Sequence, residues 1–243
     1  MTKVAPSDCE YIELHRKIWA ARPELRSVYQ DWFEKLMTGV EGFHPIVEIG
    51  AGSGFFKEFF PGLISTDVVP SINIDMVSDA CSLPFRSETI GALVMVDVLH
   101  HLPWPLQFMT EASRVLVPGG RIAMIEPWIT GPSYVLYRYF HHEDCSLDVD
   151  LERPFKDLDK HAFDGNAAIP FKLLKHFDGA KSSLRMIEAS PFIGLPYLFT
   201  LGFKTMRPIP QTVIEVAKVC ERLLSPLKRI AATRIQIVWE KAR

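Results

Sequence analysis

Three glycines at alternate positions, Gly50, Gly52 and Gly54, follow a short apolar run that ends in Glu48, and a helix-like segment starts at Phe55. Glycine suits positions where φ turns positive or where a Cβ would strike a ligand. The first N–H groups of the helix that follows have no partner within it and face whatever is bound. The spacing predicts a strand running into a tight turn beneath a nucleotide-like ligand. A dinucleotide is disfavoured. Its fingerprint, Gly-x-Gly-x-x-Gly or Ala, would need a small third residue at Phe55 or at Lys57.

Two further groups of residues could do chemistry. Leu63 to Val68 reads as a second strand ending in Asp67, a carboxylate able to accept both hydroxyls of a ribose. Ile90 to Val98 is nearly continuous in apolar residues, as a buried parallel strand requires, and leads into His100-His101. Ligands of open α/β sheets bind beyond the carboxyl ends of strands, so these imidazoles stand where a general base is useful. Either could be that base, or both could support the strand end. Glu126, at the end of the next strand, is the following candidate.

These residues need elements to position them. Up to residue 45 the chain is patterned as amphipathic helix, with Tyr11, Leu14, Ile18, Trp19, Leu25, Val28, Tyr29, Trp32, Phe33 and Leu36 mostly at three- and four-residue spacing. Such a cap would pack on the sheet, and an aromatic residue or Arg22 from it could close over a cofactor. A brief helix from Phe55 to Phe60 stops at Pro61-Gly62. A helix from Phe108 to Leu116 leads through Val117-Pro118-Gly119-Gly120, read as a tight turn, into a strand from Arg121 to Glu126.

Composition sets the outer limits. The 243 residues fit one α/β domain with insertions, and an apolar share of 48% can fill a sizeable core. A net charge of −2 gives no global bias toward nucleic acid or anionic lipid. The scattered cysteines Cys9, Cys81, Cys145 and Cys220 form no Cys-x-x-Cys, and with no signal peptide read at the start they are expected to be reduced cytoplasmic thiols. The apolar stretch from Pro191 to Phe203 contains Pro196 and falls short of the ~20 residues a spanning helix needs.

Four elements now agree in order. Glu48-x-Gly50-x-Gly52-x-Gly54 resembles motif I of the class I S-adenosylmethionine (SAM) dependent methyltransferases. Asp79-Ala80-x-x-Leu83-Pro84-Phe85 resembles their adenine-binding turn. Val98-Leu99-His100-His101-Leu102-Pro103 resembles their segment after strand four, and Arg114-Val115-Leu116-x-Pro118-Gly119-Gly120 their turn before strand five. The chain is identified as a member of the UbiE-like type, methyltransferase domain 11, with strong resemblance over residues 46–126. That resemblance implies a Rossmann-like, seven-stranded, mostly parallel sheet with helices on both faces. It also implies SAM as cofactor, held by Glu48, Gly50, Ala51, Gly52, Gly54, Asp67, Val68, Asp79, Ala80 and Asp97.

The expected organisation is a helical cap over residues 1–45 and a methyltransferase domain over 46–243, with acceptor-defining lid insertions at 127–183 and 190–230. Strand six is read at Leu184–Ala189 and strand seven at Arg234–Glu240. His141, His142, Glu143 and Asp144 lack a His-x-x-x-His spacing, so no metal is expected. From Leu201 onward nine Lys or Arg face three Glu, which would suit peripheral contact of 191–229 with an anionic membrane. The expected reaction is methyl transfer to a small-molecule, lipid-linked or glycan-linked acceptor, at a hydroxyl oxygen. A quinone-type carbon methyltransferase and a catalytically silent SAM-binding partner subunit are the alternatives. Nucleic acid is not expected as acceptor, because no Asn/Asp-Pro-Pro-Tyr/Phe element follows strand four.

Overall fold

A computed structural model describes residues 6–140, 143–154, 162–177 and 183–243. Two helices, α1 (Pro6–Ala21) and α2 (Pro23–Gly39), precede β1 (Ile46–Ile49), α3 (Phe55–Phe59), β2 (Ile64–Asp67), β3 (Met76–Val77) and β4 (Ile90–Val96). Then come α4 (Pro105–Val115), β5 (Leu116–Pro127), α5 (Gly131–Phe140), α6 (Ile169–Phe177) and β6 (Leu184–Phe192). The last elements are α7 (Leu195–Thr200), α8 (Gln211–Leu223), α9 (Lys228–Ala231) and β7 (Arg234–Lys241).

Among the described residues these strands form one seven-stranded sheet in the order β3-β2-β1-β4-β5-β7-β6. The pairs from β3 to β5 are parallel, and β7 runs antiparallel to both β5 and β6. The α/β class and mostly parallel sheet expected from sequence are therefore present. After β1 the chain builds outward through β2 and β3, then crosses back to place β4 on the other side of β1. That reversal opens a crevice at the strands' carboxyl ends.

The core alternates as a pleated strand requires. On β4, Ala92 and Val94 face α2 and pack with Val28, Trp32, Leu36 and Val40. Leu93 and Met95 face the other side, with Phe108, Met109 and Ala112 of α4. Helix α1 is fastened to the glycine loop. Ser53 Oγ donates to the Ile12 carbonyl at 3.0 Å, and Trp19 stacks on Phe55 with centroids 4.1 Å apart.

Two local expectations need correction. The Val117-Pro118-Gly119-Gly120 segment is no separate turn but lies inside β5. Leu116 pairs with Ile90 and Arg121 with Ala92, so the run bulges against β4. A Cβ on Gly120 would stand 2.9 Å from the Gly91 carbonyl oxygen, which is why the strand can continue only through glycine there. Arg22 does not reach toward a cofactor. It is fully buried, pairs with Glu24 at 2.6 Å, and donates to the carbonyls of Thr200 (2.7 Å), Gly202 (2.9 Å) and Thr205 (3.1 Å). It pins the α7 region to the start of α2.

Removing one partner of a buried ion pair strands the other charge, at a cost of about 3–5 kcal/mol. Arg22→Ala is expected to lower stability by about that amount in urea unfolding. The folded protein should keep its cofactor affinity, as checked by calorimetry below the unfolding midpoint.

Candidate active site

The glycine loop closes by local necessity. Gly50, Gly52 and Gly54 all have positive φ, at 68°, 51° and 73°. A Cβ on Gly50 would lie 2.4 Å from a Val98 methyl, and one on Gly54 would lie 2.4 Å from the Asn73 carbonyl oxygen. These two glycines serve packing. At Gly52 a Cβ would meet nothing within 4 Å, because this backbone borders open space. The loop is braced by Asp67, whose Oδ2 accepts from the Gly52 N–H at 2.7 Å and whose Oδ1 accepts from the Val69 N–H at 2.8 Å.

The open space is a cavity lined by Gly50, Gly52, Asp67, Val68, Asp79, Ala80, Asp97 and His101, among others. Asp79 closes its own turn by accepting from the Cys81 N–H at 2.9 Å. Glu48 and Ala51 face a second, adjoining cavity, and Gly54 borders neither. Burial, reinforced by the Asp67 charge, raises Glu48 to about 8. Its buried Oε2 has no hydrogen-bond partner. An orphaned carboxylate oxygen beside a glycine loop with room at Gly52 fits a cationic nucleoside cofactor.

The second cavity lies beneath α1 and is lined by Tyr11, His15, Tyr29, Tyr137, Tyr197, Phe203 and Arg234 together with His100, His101 and Glu143. Its floor is built from the end of β5. Glu126, fully buried, accepts through Oε1 from the N–H groups of Val98 (2.9 Å) and Leu99 (2.7 Å). Its Oε2 meets His100 Nδ1 at 2.6 Å. On the cavity side His100 Nε2 lies 3.2 Å from Glu143 Oε2, and His101 Nε2 lies 3.6 Å from Glu143 Oε1. Burial alone would lower the His100 pKa. The charges of Glu143 and Glu126 outweigh burial and raise it to about 10.

Asp97, just past β4, takes the left-handed conformation (φ 55°), uncommon for a residue with a side chain and frequent where strain serves a site. Its carboxylate pairs with Arg234, the first residue of β7, whose guanidinium lies over the rings of Tyr197 and Trp32 at 4.6 and 5.2 Å. Burial pushes the Asp97 carboxyl up, and the Arg234 charge opposes it.

The structure brings nearly all the sequence-predicted residues to the two cavities. Gly54 remains apart from both, and Glu126 stands behind His100 rather than in the open. Arg234 was not anticipated as a site residue. An arginine opening an apolar strand was the available signal, since it needs a buried partner. Glu143 was considered only with its neighbours, and His141 and His142 lie outside the described residues. The loop carrying Glu143 is tied down by Asn166. Its N–H donates to the His100 carbonyl (2.9 Å), and its side chain exchanges hydrogen bonds with the Ser146 backbone at 3.1 and 3.2 Å.

This fold, with a glycine cradle and a ribose-competent acid at the switch point, is the arrangement that the resemblance to class I SAM-dependent methyltransferases implies. Residues 47–124 match the family model described as a methyltransferase domain. Over 56 residues the chain is 41% identical to the human protein named Probable tRNA methyltransferase 9B, covering 22% of this chain and 12% of that one. Over 125 residues it is 27% identical to Squalene methyltransferase 1 of Botryococcus braunii, covering 51% of this chain and 31% of that one. The chain thus spans less than a third of either relative. A SAM-dependent methyltransferase from Archaeoglobus fulgidus shares the fold, with a TM-score of 0.53 and 17% identity over 89% of this chain and 94% of that one.

Two expectations follow. A bound sulfonium should draw the proton from Glu48, so SAM affinity should rise with pH toward about 8 and level off above it. Calorimetry in two buffers of different ionisation enthalpy should detect the released proton, and Glu48→Gln should abolish the effect. At Gly165, a Cβ would stand 2.7 Å from His101 Nδ1. Gly165→Ala should therefore cost about 1–3 kcal/mol in stability, read from the shift of the unfolding midpoint.

Proposed function

We propose that the protein transfers a methyl group from SAM to a hydroxyl oxygen of a small-molecule, lipid-linked or glycan-linked acceptor. The observation that carries this reading is the wall common to the two cavities. Gly50, Gly52, Asp97, His101 and Phe163 line both, which would set an acceptor in one against a cofactor in the other. SAM supplies a methyl group activated by its sulfonium, and a nucleophile takes it by in-line displacement.

The chain's own work is to hold, orient and exclude water. Asp67 offers its remaining lone pairs to the ribose hydroxyls, Asp79 and Ala80 edge the adenine, and Glu48, in the adjoining cavity, answers the positive charge where the cofactor reaches the common wall at Gly50 and Gly52. Tyr11, Phe163 and Phe203 keep the acceptor side dry; Tyr11 and Phe163 touch with centroids 4.6 Å apart. His101, at the common wall and beside Glu143, is placed to receive the hydroxyl proton. Residues 127–183 and 190–230 act as the acceptor lid.

A lipid-linked acceptor is supported by apolar side chains exposed on that lid. Tyr139, Phe140, Leu223 and Ile230 are exposed there, on chain segments that also carry Arg222, Lys228 and Arg229. Exposed apolar side chains close in sequence to basic ones suit an anionic bilayer. No helix among the described residues is long and apolar enough to cross a membrane. A second reading, carbon methylation of an apolar chain, draws on the squalene methyltransferase likeness over half the chain and on the aromatic wall of Tyr29, Phe33 and Tyr197.

Calorimetric titration with SAM and S-adenosylhomocysteine tests the cofactor, with Asp67→Asn and Asp79→Ala expected to weaken binding at least tenfold. Radiolabelled methyl transfer to panels of hydroxylated and isoprenoid acceptors then tests the reaction. His101→Ala should lower turnover about 10²–10⁴-fold for a hydroxyl acceptor while S-adenosylhomocysteine still binds. Unchanged turnover would favour the carbon reading, and tight cofactor binding without transfer to any acceptor would favour a silent subunit.

A further inference from the structure

We infer that the acceptor cavity holds a divalent-cation site made by Nε2 of His100, Nε2 of His101 and the carboxylate of Glu143. Its use in catalysis rests on the methyl-transfer reading; its existence does not. One ligand atom from each residue lies within 4.8 Å of the others, and the two imidazole–carboxylate separations are 3.2 and 3.6 Å. Nitrogen and oxygen donors sit about 2.0–2.2 Å from zinc. Donors around one such ion, at octahedral to tetrahedral angles, stand about 3.0–3.5 Å apart. The 3.2 Å separation falls in that range and the 3.6 Å one just above it, each to a different oxygen of Glu143.

The surroundings are those of a ligand set. Glu126 takes the Nδ1–H of His100, which fixes the ring and aims Nε2 at Glu143. A carboxylate behind a histidine is the usual support for a metal-bound imidazole. The His101 ring lies against Gly165, where an added Cβ would stand 2.7 Å from its Nδ1. The Glu143 loop is joined to the same segment, through the Asp144 N–H donating to the Gly165 carbonyl at 3.2 Å. Each ligand is therefore positioned by neighbours before anything binds.

Charge points the same way. Two carboxylates, Glu126 and Glu143, flank His100, while Arg234 is engaged by Asp97. Two nitrogen ligands and one carboxylate favour a first-row ion such as zinc over magnesium or calcium. Three protein ligands leave a position open to the cavity, as catalytic sites do. With His101 Nε2 on the metal, a hydroxyl bound at the open position would be acidified and its proton would pass to water, the ion replacing His101 in the base role.

The test uses the full chain, stripped with a chelator and titrated calorimetrically with Zn²⁺ and with Co²⁺, the latter also followed by its visible absorption. One equivalent should bind, and Co²⁺ should develop d–d bands of a low-symmetry nitrogen–oxygen site. Glu143→Gln and His101→Ala should each weaken binding at least tenfold, and Glu126→Gln about 10–100-fold through the supporting carboxylate. S-adenosylhomocysteine binding by Glu143→Gln, unchanged from wild type, shows that this variant is folded. Absence of metal binding by a wild-type preparation that binds S-adenosylhomocysteine would overturn the proposal, leaving a histidine–carboxylate cluster. So would metal binding of equal strength in wild type and all three variants. Metal bound at these residues without S-adenosylhomocysteine binding would sustain the site and defeat the methyltransferase reading instead.

Discussion

The carboxylate of Glu126 is the constraint on which the rest of the site depends. It sits with no solvent exposure at the end of β5 and is answered by the Val98 and Leu99 N–H groups and by the His100 ring. A carboxylate so placed is tolerable only when fully hydrogen-bonded. Meeting that demand forces the chain leaving β4 to turn at once, through the left-handed Asp97 into the short 3-10 turn Leu99–His101. The turn then sets the direction of both imidazoles. A glutamine could replace only part of this pattern, because one of its two ends donates rather than accepts.

Around this fixed point the sheet is the rigid frame and the loops carry the chemistry. β1 and β2 supply the glycine turn and Asp67, β4 and β5 supply the histidine turn, and β7 supplies Arg234. Covering elements come from distant parts of the chain: α1 with Tyr11 and His15, and the segments around Glu143 and Phe163. Asn166 knits the latter two to the His100 backbone. Side chains from widely separated positions are thus tied to one another through hydrogen bonds between loops.

What the sequence disclosed was what short-range physics dictates. The glycine turn, the acids ending β2 and following β3, and the apolar run of β4 were legible because each motif fits within a few residues. The Pro118-Gly119-Gly120 bulge was misread as a turn because glycine and proline mark both, and only pairing with β4 separates them. Arg22 was misplaced because its partners are carbonyls at Thr200, Gly202 and Thr205, about 180 residues away. For the same reason the Asp97–Arg234 pair and the approach of Glu143 to the histidines were invisible. No local pattern encodes contacts that depend on two loops meeting across the sheet.

The wall common to the two cavities has a thermodynamic consequence. The His101 ring borders both spaces, so an occupant that settles it on one side alters what the other side offers. Equilibrium linkage makes that influence symmetrical: whatever factor the first occupant confers on the affinity of the second, the second returns to the first. Order of arrival can then differ in rate but not in total free energy. Two ligands meeting at one imidazole are, in that sense, each other's effector.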